Sequence, residues 1–205
     1  MEIRELQRDD VNGAASLLSR GMRDNPNNLA AFGSDPDRRQ MALAPFFHIL
    51  LGALLARGKI VGAFDGGTLV GVCGMAAPGR CQPGFGEKLR YLGSLLINAS
   101  PSAAGRVARW GGEWARHDPS RQHWHLGPVA VDSHLQGKGI GQALLADFRR
   151  RMDEANAAAF LETDKRENVA FYEKFGFSVD LEGRVLDVPN WYMSRPAKEP
   201  PPARR

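Results

Sequence analysis

The stretch Gln136-Gly137-Lys138-Gly139-Ile140-Gly141 has the composition of an anion site. Closely spaced glycines let backbone N–H groups turn toward one point, and a helix starting there adds the positive end of its dipole. Lys138 adds charge at the rim. His123 and His125 stand at i and i+2, so they share one face of a strand. Tyr172 carries a phenol that stays protonated at neutral pH and is able to donate, although its spacing with Val169 and Phe175 by itself reads as an aromatic stripe packed into the core. Cys73 and Cys81 are the only thiols. A nucleophilic cysteine needs an electropositive, partly exposed setting with a base beside it. Cys73 falls in an apolar strand pattern and reads as a core thiol. Cys81, in a loop beside Arg80, is the one worth testing.

Two nucleotide-binding readings of the glycine loop fail. A P-loop requires GxxxxGK[ST], and here Lys138 is followed by Gly139. A dinucleotide fingerprint opens the first βα turn of a Rossmann unit, whereas GKGIGQ comes late, with one βα unit after it. A tight turn with no ligand remains open on the loop alone. Metal binding by His123 and His125 is not expected, because no neighbouring Cys, Asp or Glu completes ordinary ligand spacing.

The elements that must position these residues read as follows. Residues 2–7 form a first strand, and Asp9 or Asp10 caps a helix with Val11, Ala14, Leu18 and Met22 on one face. NPNN at 25–28 ends it, and a loop leads to Asp35-Pro36, the start of a second helix that stops at Arg57-Gly58. Residues 59–64 and 68–75 form a hairpin around Asp65-Gly66-Gly67. A Gly/Pro-rich loop follows, then helical patches from 87 to about 114 broken by Gly93, Pro101, Gly105, Gly111 and Gly112. A strand at 123–131 precedes the glycine loop and a helix from Gly139 to Asn156, its apolar face Ile140, Leu144, Leu145, Phe148 and Met152. Residues 158–163 form a buried strand and 168–175 a short helix capped by Gly176. A hairpin at 177–181 and 190–195 closes the fold. Gly127-Pro128 interrupts the 123–131 strand as a bulge or as an edge-strand proline.

Composition bounds the rest. The 205 residues suffice for one core; 43% are hydrophobic and 24% charged, as in ordinary globular proteins. A net charge of +4 suits an anionic ligand but is too dispersed to indicate nucleic acid. Two cysteines without CxxC spacing point to a reducing cytoplasm. The charged MEIRELQRDD start argues against a signal peptide, and the apolar run 41–56 falls short of the roughly 20 residues of a membrane span. No membrane partner is expected, and a homodimer is left open.

LGPVAVDSHLQGKGIGQALL followed by FLETDKRENVAFYEKFGF resembles the GCN5-related N-acetyltransferase family: its acetyl-CoA loop and the strand–helix segment after it. The resemblance implies a single domain over residues 1–196 with an acetyl-CoA core at 123–178, and a disordered tail at 197–205. It implies an α/β fold, a mostly antiparallel sheet with splayed strands flanked by helices. The cofactor arm is expected along Val129, Ala130 and Val131, and its pyrophosphate over Gln136, Gly137, Lys138, Gly139, Ile140, Gly141 and Gln142. Asn168 and Phe171 are expected beside the arm, and Tyr172 as the acid that protonates the departing thiolate. His125 falls where the histone-acetyltransferase branch carries its glutamate base; Glu113 is a weaker alternative. Acetyl-CoA is the implied co-substrate, with no metal. The ending FLETDKRENVAFYEKFGF…NWYMSR is similar to small-molecule enzymes, including puromycin N-acetyltransferases, which favours a small primary amine as acceptor. A protein or peptide N-acetyltransferase and a non-catalytic acyl-CoA sensor on the same fold are the alternatives.

Overall fold

The computed structural model describes residues 1–198; of the tail expected to be disordered at 197–205, residues 199–205 lie outside them. Seven strands form one sheet in the order β1-β2-β3-β4-β5-β7-β6. They are β1 (Glu2–Glu5), β2 (Gly58–Asp65), β3 (Thr68–Ala76), β4 (Trp124–Val131), β5 (Ala159–Thr163), β6 (Ser178–Val185) and β7 (Val188–Arg195). Only β4 and β5 run parallel; every other neighbouring pair is antiparallel. The mixed α/β architecture expected from the sequence is the one observed.

Helices cover both faces: α1 (Val11–Gly21), α2 (Pro26–Phe32), α3 (Pro36–Arg57), α4 (Phe85–Asn98), α5 (Pro101–His117), α6 (Ile140–Glu154) and α7 (Arg166–Glu173). On one face α6 and α7 bury Ile140, Leu144, Phe148, Met152, Val169 and Tyr172 against Val61, Cys73 and Leu161. On the other, α1 and α3 bury Leu17, Leu18, Leu43, Phe47 and Leu51 against Ile60, Val72 and Ala130. Each fully buried aliphatic or phenyl side chain contributes about 1.5–3 kcal/mol, so these two layers hold the sheet between them.

Local signals explain most boundaries. Asp35 accepts from the Asp37 and Arg38 amides at 3.1 Å each, with Pro36 at the first helical position, so α3 starts where expected. α3 is 22 residues long and, by length and composition, apolar enough to cross a membrane. The shorter run read from the sequence understated it; its Leu43, Phe47, Leu51 and Leu54 pack into the core.

Three expectations change. NPNN does not lead into a loop: Asn25 is the N-cap and Pro26 the first residue of α2. Asp10 does not cap α1 with its side chain, which instead accepts from the Gln7 amide at 2.8 Å and pairs with Arg4. The patches at 87–114 are two continuous helices, α4 and α5, interrupted only around Ser100-Pro101, where the Ser100 hydroxyl accepts from the Ala103 amide. A glycine inside a helix costs only about 1 kcal/mol, so Gly93, Gly105, Gly111 and Gly112 are carried within them.

Candidate active site

The site begins where the sheet comes apart. β4 and β5 pair only at Trp124↔Ala159 and His125↔Phe160. Beyond that β4 stays with β3 and β5 with β7, so the two strands open like a V toward their C-terminal ends. In the β3–β4 ladder Cys73 faces Val129 and Met75 faces Leu126, leaving Gly127 and Pro128 together opposite Gly74. The expected interruption is therefore a bulge in a central strand. A Cβ on Gly74 would lie 2.9 Å from the Gly127 oxygen, so only glycine lets the bulge sit this close.

The loop after β4 is anchored by Asp132, whose carboxylate takes a 2.6 Å ion pair from Arg20 at the end of α1. That hydrogen bond holds its pKa below the usual carboxylate value. Gly137 and Gly139 adopt φ of +79° and +84°, conformations that favour glycine, and Gly139 is the N-cap of α6. The first amides of α6 therefore have no helical partner and face the loop's concave side. A Cβ on Gly141 would be 3.5 Å from Phe171 and 3.7 Å from Val131, so loop, α7 and β4 converge on one spot. Asn168 donates to the Thr163 hydroxyl at 3.2 Å, fixing it at the open end of β5. Lys138 is exposed at the rim, and the Ala130 side chain packs toward α1 and α3.

Tyr172 lies on α7, its ring against Phe171 and Phe177 at 5.6 and 6.0 Å. Burial raises its pKa, with smaller contributions from Cys73 and Asp164, so the phenol keeps its proton. Cys73 is fully buried and its thiol pushed up to about 12, as a core thiol should be.

His123 and His125 face the other way, toward α5. His125 Nε2 is 3.0 Å from Glu162 Oε2, and the Glu162 side chain is only 2% exposed. Burial works against a charged imidazole, but the Glu162 carboxylate and Cys81 together outweigh it and raise His125 to about 10. His125 Nδ1 is buried with no hydrogen-bond partner. Beside it, Cys81 Sγ is 3.5 Å from His123 Nε2, and Asp118 Oδ1 is 3.0 Å from the same nitrogen. Burial raises the Cys81 thiol, yet the imidazoles of His123 and His125 bring it down to about 7. Next door on β7, Tyr192 is pushed up to about 12 by burial and by Glu162 and Glu113, and His117 stacks on it at 4.4 Å.

A buried amide network fixes α2 and α5 over this side. Asn27 and Asn190, both fully buried, exchange amide hydrogen bonds at 3.0 and 3.2 Å, and Trp114 Nε1 donates to the Asn190 oxygen at 3.1 Å. Asp164, just past β5, accepts from the Asn27 amide at 2.7 Å, and burial raises its pKa.

The sequence reading missed Glu162, Asp118 and Asp164. A glutamate in the middle of the apolar run AAFLET was the available signal for the first, because such a charge is rarely buried unless paired. The other two come from loops whose partners are distant in sequence. The expectation that no Cys or Asp accompanies His123 and His125 is corrected, since the fold supplies both.

The acetyltransferase (GNAT) family model matches residues 27–177, more than half of the chain. The chain belongs to the GCN5-related N-acetyltransferase family. As a member it is an acetyl-CoA-dependent N-acetyltransferase. Solved structures share the fold. A histone acetyltransferase HPA2 and related acetyltransferase from Corynebacterium glutamicum aligns with TM-score 0.70 at 21% identity, over 97% of both chains. PaiA N-acetyltransferase from Thermoplasma acidophilum, in complex with coenzyme A, aligns with TM-score 0.60 at 15% identity, over 95% of this chain and 98% of that one. A ribosomal-protein-alanine N-acetyltransferase from Brucella melitensis gives 0.55 at 17% identity, over 95% and 99%.

Proposed function

We propose that this N-acetyltransferase, a single domain over residues 1–196, acetylates the primary amine of a small molecule by direct attack in a ternary complex. The observation that carries the reading is the V between β4 and β5, with the glycine-loop amides at its mouth and His125 at its crotch. In this reading the pantetheine arm lies along the unpaired edge of β4 at Val129 to Val131. The pyrophosphate rests on the amides of Gly137 to Gln142, and Asn168 and Phe171 flank the arm. A backbone N–H near Val129 polarises the thioester carbonyl. The amine nitrogen bonds to the carbonyl carbon, the carbon–sulfur bond breaks, and Tyr172 gives its proton to the thiolate.

His125 receives the proton that the acceptor loses, through Nδ1, while Glu162 holds Nε2–H and stabilises the imidazolium that forms. Only the neutral imidazole offers the Nδ1 lone pair; with His125 raised to about 10 that form is a minority at neutral pH, so the acetyl-transfer rate should rise with pH toward about 10. The likeness of the closing segment to small-molecule enzymes favours a free amine over a polypeptide. The two free thiols suit a reducing cytoplasm.

Thiol release from acetyl-CoA, measured across a panel of small amines and N-terminal peptides, tests the reading. Turnover with small amines above the peptides is expected. Tight acetyl-CoA binding with no turnover on any amine would overturn it in favour of a sensor.

A further inference from the structure

Cys81, Asp118, His123 and His125 come from three places: the loop after β3, the segment after α5, and the start of β4 with the residue just before it. Each offers one ligand atom, and the four atoms lie within 4.8 Å of one another. We propose that they form a tetrahedral site for a zinc-type divalent cation.

The hydrogen bonds around the cluster support this more directly than proximity does. His123 Nδ1 is 2.8 Å from the Arg121 carbonyl, which only accepts, so Nδ1 carries a hydrogen and Nε2, once it is free of its proton, points a lone pair at the cluster. Asp118 Oδ1 lies 3.0 Å from that lone pair, buried and without a hydrogen bond. Two electron-pair donors this close need a cation between them, either a proton on Nε2, as in an ion pair, or a metal ion held also by Cys81 and His125. His125 repeats the pattern: Nε2 is engaged by Glu162 and Nδ1 is buried and unpaired. Asp118 Oδ2 is held by Gln82 at 2.9 Å. Metal-binding histidines and carboxylates characteristically have their far atoms tied in this way, to a carboxylate, a backbone carbonyl or an amide.

The donor set selects the ion. One thiolate, two imidazoles and one carboxylate suit Zn²⁺ better than the oxygen-seeking Mg²⁺ or Ca²⁺. Zinc bonds of about 2.0–2.3 Å set tetrahedral ligand atoms roughly 3.3–3.8 Å apart, so the wider pairs of the cluster close by about 1 Å while the Asp118–His123 pair, at 3.0 Å, opens slightly. With all four positions filled by protein, the ion holds the two loops onto β4 and offers no open position to a substrate. It also takes the Nδ1 lone pair of His125. If His125 serves acetyl transfer as proposed above, zinc loading slows that reaction and a chelator restores it; metal binding itself does not depend on that role.

The test uses untagged full-length protein, stripped with a chelator and titrated with Zn²⁺ against a chromophoric competitor in the absence of acetyl-CoA. One equivalent of tight binding is expected, and Co²⁺ in its place should give a thiolate charge-transfer band with intense tetrahedral d–d absorption. Cys81→Ser should remove the band and weaken Zn²⁺ binding by at least about 100-fold, and Asp118→Asn by about 10- to 100-fold. Asp118 lies in a loop, so Asp118→Asn decides the matter if Cys81→Ser does not fold. No stoichiometric Zn²⁺ binding by the parent protein, or unchanged affinity in either folded variant, would overturn the proposal. Zinc binding with unaltered acetyl transfer would keep the site and remove His125 from the proton path.

Discussion

Replacing Tyr172 by phenylalanine removes one oxygen and keeps the ring that packs between Phe171 and Phe177. The fold and the glycine loop should therefore be unaffected, and the change should fall on the chemical step. General acids contribute typically about 10²- to 10⁴-fold to a rate. Burial raises the pKa of this phenol, which makes it a weaker acid than a free tyrosine and points to the lower end of that range. The expected loss in the acetyl-transfer rate is about 100-fold, equivalent to about 2.7 kcal/mol in the barrier. Single-turnover thiol release is the suitable assay, because product release cannot then mask the step. Acetyl-CoA affinity, read by calorimetry, should change by less than about twofold. An acetyl donor with a more acidic leaving thiol should recover part of the rate, since its sulfur needs less help to depart. A single-turnover rate within about threefold of the parent would refute the assignment.

Gly139→Val should weaken acetyl-CoA binding by about tenfold or more, measured by calorimetry, because φ of +84° is strained for a β-branched residue and the α6 amides would turn away. His125→Gln should lower turnover about 10²-fold or more with alkylamines, yet far less with a weakly basic aromatic amine that has little proton to give up; equal losses on both would remove His125 from proton transfer. Asp24, bonded first to Arg23 and then to the buried Arg39, is depressed to about 2. Its contribution to stability is present above the ordinary carboxylate pKa and is lost as pH falls through about 2. Asp24→Asn should flatten that part of the acid-unfolding curve followed by circular dichroism.

Elements with strong punctuation at both ends were legible from the sequence. Asp35-Pro36 and Arg57-Gly58 bracket α3, and Asp65-Gly66-Gly67 marks the β2–β3 turn, because these residues act through local backbone geometry alone. α2 was misread because the same asparagines and proline serve equally to stop one helix and to start another, and Asp164, a residue far along the chain, accepts the Asn27 amide and supports the second choice. The strand, glycine loop and helix from 124 to 154 were readable because they follow one another in the chain and are set by local signals. The surroundings of His125 were not. His125 was visible, but Glu162, Asp118 and Cys81 reach it only through the pairing of β4 with β5 and the return of two loops, and no spacing rule encodes that.

The opening of the strands and the cluster around His125 meet at one residue for a structural reason. Pro128 has no N–H to give to a ladder, and the bulge sets Gly127 and Pro128 against the single Gly74, so β4 turns away from β5 after His125. A sheet normally loses stability where a central ladder ends. Here the loss leaves unpaired backbone on β4 for an extended ligand to bind, as an added strand would. It also leaves the last paired residue, His125, with one side of its ring against Glu162 and the other unpaired. Any cation that arrives there, whether a proton from an acceptor or a metal ion held with Cys81, Asp118 and His123, meets the same nitrogen. Restoring the ladder should therefore affect both at once: a Pro128→Val variant that lengthens the β4–β5 pairing is expected to weaken acetyl-CoA and Zn²⁺ binding together. A variant that loses only one would show that the opening of the strands and the orientation of His125 are set independently.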